Sequence, residues 1–194
     1  MSLKLTSLLL SLLICSVTFA STEQSLFTGP QEIVHSGKVY RLAFKKELAN
    51  GRAIYEYTTD AETIEKWTTL VTLNYAKGIS GTQLEWATTL KKALDADKPR
   101  PHYLIYNKNG FDYARIIYEP NALNPTYESN AHKKFDIADC GGRIIYQFAA
   151  IYPASVDQSD EGKMKTLMSI YNENQVFSEA LEKNDWLPSC KSAG

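Results

Sequence analysis

The sequence predicts an α+β fold, an antiparallel sheet flanked by helices, and three observations carry that expectation. Apolar residues recur with a period of two through several short segments, as in strands with one buried face. Two other segments carry apolar residues three and four apart behind residues that open helices. Between the strand-like segments stand Ala49-Asn50-Gly51, Asn107-Lys108-Asn109-Gly110 and Cys140-Gly141-Gly142, turn chemistry that joins antiparallel neighbours.

In chain order, Val39 to Phe44 places Tyr40, Leu42 and Phe44 on one face, and the turn at Asn50 leads into a second strand, Arg52 to Thr58. Thr59 and Glu62 have capping-box spacing and predict a helix of one or two turns. A strand from Trp67 to Tyr75 follows, with Trp67 delivered into the core. Thr82 and Glu85 form a second capping box, and Leu84, Ala87, Leu90 and Leu94 predict a helix over Gln83 to Ala96, ended by Pro99-Arg100-Pro101. Strands are predicted at His102 to Tyr106 and Phe111 to Tyr118. Glu119 to Asn130, with two prolines, reads as a long irregular loop and a candidate functional loop. Lys133 to Ala138 and Arg143 to Tyr152 form the last hairpin, the second apolar enough on both faces to be central. The C-terminal helix opens at Ser159-Asp160-Glu161. Its stripe, Met164, Leu167, Met168 and Tyr171, falls out of phase with Val176, Phe177, Ala180 and Leu181, which predicts a break near Asn172-Glu173-Asn174.

The first twenty residues have the anatomy of a cleaved secretory signal: Lys4, an apolar run from Leu8 to Val17, and a small residue at Ala20 before polar Ser21. Ile14 before Cys15 departs from the small residue that a lipid-attachment box carries. The expectation is a periplasmic or secreted protein with one domain over 21–194 and no integral membrane segment. The exported part carries 20 basic and 22 acidic residues, a balance that offers no footprint for nucleic acid. Cys140 and Cys190 remain as an even pair in an oxidising compartment, so a Cys140–Cys190 disulfide is expected.

No cofactor or metal is called for by any motif. His35, His102 and His132 lack metal-ligand spacing, and the cluster of His132 with Asp136, Asp139 and Cys140 reads as an ordinary hairpin. Ser80 in Gly78-Ile79-Ser80-Gly81 only partly matches a nucleophile turn, and Glu56, Glu62 and Glu65 fit cap and solvent positions. Twelve tyrosines stand out. Tyr103, Tyr106, Tyr113, Tyr118 and Tyr127, around the hairpin and loop just described, are the candidate binding residues, although tyrosine suits a half-buried sheet equally.

The segment Glu62-Thr63-Ile64-Glu65-Lys66-Trp67-Thr68-Thr69-Leu70-Val71-Thr72 resembles an E-T-x-x-x-W-T-x-L-V-T stretch of exported bacterial proteins of unknown function. The order of elements is similar to the PsbP-like α/β/α sandwich of small exported accessory proteins. That resemblance implies an accessory or binding role and carries no catalytic set. The leading functional expectation is therefore a non-enzymatic protein that binds another protein, as an accessory, inhibitor or immunity factor. A small-ligand or lipid carrier would need an apolar pocket between sheet and helix, and a hydrolase would need polar residues converging on His102 or His132 in such a pocket.

Overall fold

The computed structural model describes residues 27–79, 81–137, 141–188 and 190. Its elements are β1 (Glu32–His35), β2 (Lys38–Leu48), β3 (Arg52–Thr58), β4 (Thr69–Lys77), α1 (Gln83–Ala96), β5 (His102–Lys108), β6 (Phe111–Tyr118), β7 (Thr126–Ile137), β8 (Gly142–Pro153) and α2 (Asp160–Lys183). All eight strands join one antiparallel sheet in the order β1-β2-β3-β4-β8-β7-β6-β5. Two four-stranded meanders thus meet at the β4–β8 pair, and β8 is central, as its apolar sequence predicts. The α+β class and the antiparallel sheet with two helices are established.

Local chemistry explains the turns. Ser36-Gly37 and Asn109-Gly110 hold positive φ at both positions, the primed geometry whose twist matches flanking antiparallel strands. The β4-to-β5 connection must step over β8, β7 and β6, about 19 Å at ordinary strand spacing. The fourteen residues of α1 span about 21 Å, enough for that crossing. Thr82 and Glu85 form the predicted capping box, each side chain meeting the other's backbone.

The two sheet faces differ because residues alternate along each strand. Val71, Leu73 and Tyr75 of β4, Ile144, Tyr146 and Phe148 of β8, Ala131 and Phe135 of β7 and Tyr113 of β6 share the main core with Leu181 of α2. The opposite face carries α1 over β5 and β6, with Trp86 and Leu94 on Ala114 and Ile116. Beyond α1 that face is mixed: Thr72, Gln147, Asn130 and Glu128 lie there beside Leu70, Ile145 and Ala149, with Gln147 donating to Asn130 at 2.8 Å and Asn130 to Glu128 at 2.9 Å.

The sheet also curls. β1 stands four places from β8, about 19 Å away in a flat sheet, yet the His35 ring stacks on Phe148 at 4.2 Å. The concave side is the one that holds the main core and α2. A bulge between Leu42 and Phe44 adds to the bend and turns Phe44 outward, 40% exposed. This corrects the expectation that Tyr40, Leu42 and Phe44 share a face.

Four further expectations need correction. Residues 59–66 form a turn with an isolated Thr63–Lys66 bridge, not a helix. Glu62 spends its carboxylate on Thr59 and on the backbone and hydroxyl of Thr68, tying the loop to the start of β4. Trp67 is half-buried outside the core clusters. The irregular stretch after β6 ends at Pro125, because Thr126 already pairs with Pro153. Finally, α2 runs unbroken for 24 residues: its buried stripe is Ile170, Asn174, Ser178 and Leu181, and two polar members concealed that phase.

Candidate functional site

The site grows from the join between β5–β6 and α2. On β6, Arg115 points to the α2 side between Tyr113 and Ile117, and on β5 Leu104 lies opposite it. A charged residue in the middle of an apolar strand must find partners when buried. Arg115 is 7% exposed. Its Nε donates to Asn174 Oδ1 and its Nη2 to the carbonyl of Tyr171, both at 2.8 Å. The guanidinium lies 4.4 Å from the centre of the Tyr171 ring, a favourable cation–π distance. No carboxylate among the described residues pairs with it.

Asn174 is the hub of this join. While its oxygen accepts from Arg115, its Nδ2 donates to Ser129 Oγ at 2.8 Å and to the carbonyl of Asn130 at 2.9 Å. The far end of α2 is held by Lys133, whose buried Nζ donates to the carbonyls of Leu181 and Asn184. That places a cation at the negative end of the helix. Burial lowers the Lys133 pKa, its largest effect, against the nearby acids Asp185 and Glu182.

With Asn174 and Ser178 turned onto the sheet, the methionine stripe of α2 is left on its flank. Met164 and Met168 are 58% and 51% exposed. Together with Leu167, Tyr171, Leu104 and Ile117 they wall a cavity of about 430 Å³ that has Arg115 and Asn174 on its inner side and His102 on its rim. A second hollow of about 250 Å³ continues past Leu104 and Arg115 toward Tyr106, Lys108 and Glu182. There the polar groups satisfy one another: Tyr106 hydrogen-bonds Ser178 and Glu182, each at 2.6 Å, and Lys108 pairs with Glu182 at 2.6 Å. Burial and the Glu182 contact raise the Tyr106 pKa to about 12.

Of the sequence-predicted tyrosines, Tyr103 lines the larger cavity and Tyr106, stacked on Tyr113 at 5.3 Å, lines the smaller hollow, but the five do not meet at one place. Tyr113 and Tyr127 are interior, Tyr103 and Tyr118 pack under α1, and Tyr106 reaches the polar hollow. Tyr103 donates to Asp95 at 2.6 Å. Of the histidines, His102 is exposed and bonded to Glu119 at 2.8 Å, whereas His35 is buried with Nδ1 3.1 Å from the Tyr146 hydroxyl. His132 stands between Ala114 and Gln147 on the α1 face. Asp136 is ion-paired with Lys134 and Arg143. Among the described residues no group of three or more His, Cys, Asp or Glu is placed to hold a metal. No helix among the described residues is long and apolar enough to cross a membrane. Ser80, Asp139, Cys140 and residues 1–26 lie outside the described residues, and with them the expected signal segment and the expected disulfide partner of Cys190; Cys190 packs at the edge of the main core.

Neither Arg115 nor Asn174 is among the candidate binding residues that the sequence offers, and Asn174 falls where the sequence predicts a helix break. The signal for Arg115 was present: it is the one basic residue within the run Tyr113-Ala114-Arg115-Ile116-Ile117-Tyr118. The fold and the site define a curled antiparallel sheet with a helix laid along each face and an apolar groove beside one of them. A protein-family model matches residues 27–186, and the chain belongs to that family. No curated protein and no solved structure matches it.

Proposed function

We propose that this chain is an exported, non-catalytic binding protein whose ligand, a small apolar or amphiphilic molecule, lies in the groove between β5–β6 and α2. The observation that carries the reading is the cavity of about 430 Å³ walled by Leu104, Ile117, Met164, Leu167 and Met168. Its volume falls in the range of small-molecule sites, about 300–1,000 Å³, and methionine walls adapt to varied apolar shapes. Among the described residues that line it there is no serine, threonine or cysteine, and its hydroxyls belong to Tyr103 and Tyr171. Export rests on the Met1–Ala20 pattern. A helix on each face of the sheet supports the PsbP-like likeness as the finer description of the fold.

Native mass spectrometry of the protein purified from a periplasmic extract tests the reading: a retained small molecule is expected, and it should be lost on Met168→Glu. A protein that carries nothing and takes up no apolar dye would overturn it. A protein partner is the second reading, and one observation favours it: β5 is a terminal strand of the sheet, and its unpaired backbone edge borders the same groove. A stoichiometric protein retained in the same extract would move that reading to first place.

A further inference from the structure

Within the groove, Arg115 makes no direct ion pair with a carboxylate among the described residues. Its two hydrogen bonds go to neutral oxygens, the Asn174 amide and the Tyr171 carbonyl, and no described bond takes up its Nη1. A buried cation without a counter-anion is costly. The arginine is also shared by both hollows, so it stands where an apolar wall gives way to a polar one. In the polar hollow Glu182 is paired with Lys108 and accepts from Tyr106, while Glu179 accepts from the neutral Gln175 amide and keeps its charge, and both would repel a second anion. Among the described residues lining the apolar cavity none is acidic, and Glu119 meets it only through His102 at the rim.

We infer that the groove takes a single-chain anionic amphiphile, with a carboxylate head on Arg115 and the hydrocarbon chain along Leu104, Ile117, Met164, Leu167 and Met168. This rests on the groove being a ligand site and adds the class of ligand. One guanidinium with a free edge matches a planar monoanion, which it can grip through charge-assisted hydrogen bonds. The cavity runs along α2 from Met164 to Asn174, about 15 Å of helix, a length that suits an extended medium chain. The chain would cover the exposed methionine flank, and the head would supply the anion that Arg115 lacks.

The test is displacement of the uncharged apolar dye N-phenyl-1-naphthylamine from the purified protein by dodecanoate and by dodecanol. Dodecanoate should compete about 10- to 100-fold better than dodecanol, the span of a charge-assisted hydrogen bond, and added salt should narrow the gap. Arg115→Met should abolish the advantage of the acid. Because Arg115 also anchors α2, the acid-to-alcohol ratio in the unaltered protein decides the matter even where that variant fails to fold. Equal competition by acid and alcohol would overturn the role of Arg115 and leave the ligand groove standing. Failure of dye, acid and alcohol to bind at all would overturn both.

Discussion

Tyr55 and Tyr57 stand two residues apart on β3, both fully buried, yet their hydroxyls meet different fates. Tyr55 donates to the carbonyl of Phe27 at 2.9 Å, whereas the buried Tyr57 hydroxyl has no hydrogen-bond partner among the described residues. Tyr55→Phe should therefore cost about 1 kcal/mol, and Tyr57→Phe should be neutral or stabilising, since it removes an unsatisfied group. Denaturant midpoints of the two variants check this, and equal losses would refute it. His35 adds a pH dependence. Burial lowers its pKa from 6.5 to about 4, so the fold holds it neutral while the unfolded chain protonates it below 6.5. Its contribution is complete above pH 6.5 and declines as pH falls toward 4, by at most about 3 kcal/mol. In unfolding titrations between pH 7 and 5, His35→Phe should flatten the slope while adding a constant penalty for the Tyr146 hydroxyl it strands.

Each helix is secured by a few polar contacts, and these set what a substitution should do to it. Thr82→Ala removes the acceptor for the Glu85 amide and should cost about 1 kcal/mol, read as a lower thermal midpoint. Asn174→Ala should cost more, about 2–4 kcal/mol, because it strands the buried Arg115 Nε, Ser129 and the Asn130 carbonyl together. Hydrogen exchange should show the loss concentrated in α2, and a uniform loss would speak against the hub. The helices also show what was legible. α1 was readable to its ends because cap, period and proline stop agree. Its buried face was less so: Leu84 is 75% exposed and Trp86 takes the inward place, a choice made by the shape of β5–β6. In α2, Asn174 and Ser178 occupy a stripe that hydrophobic periodicity assigns to apolar residues, so a continuous helix read as two.

At the scale of the molecule, most strands were legible from alternation and turn chemistry, but β1 and the first part of β7, the β4–β8 pairing and the curl were not. Both depend on contacts between residues distant in the chain, and the bulge in β2 breaks the alternation on which a face assignment rests. The groove was illegible for the same reason, since Leu104, Arg115 and Met168 meet only through the packing of α2. The Cys140–Cys190 bridge remains a proposal. It predicts that intact mass after alkylation shifts only once the protein has been reduced, and that reduction lowers stability by about 3–4 kcal/mol for a loop of about 50 residues. Alkylation without reduction would refute the bridge.

The strand order has a kinetic consequence. Within each meander the partners are neighbours in sequence and can zip soon after their turns close, whereas the β4–β8 seam joins residues such as Leu73 and Tyr146, roughly 70 positions apart, and must await a large loop closure. The seam is thus the late event of folding, and α1, which bridges the two halves over one face, shortens the search by holding them close. The chain would reach that event only after its C-terminal strands have emerged, so an edge of β4 stays exposed until then. A protein built this way is most vulnerable to misassociation before β8 arrives to cover that edge.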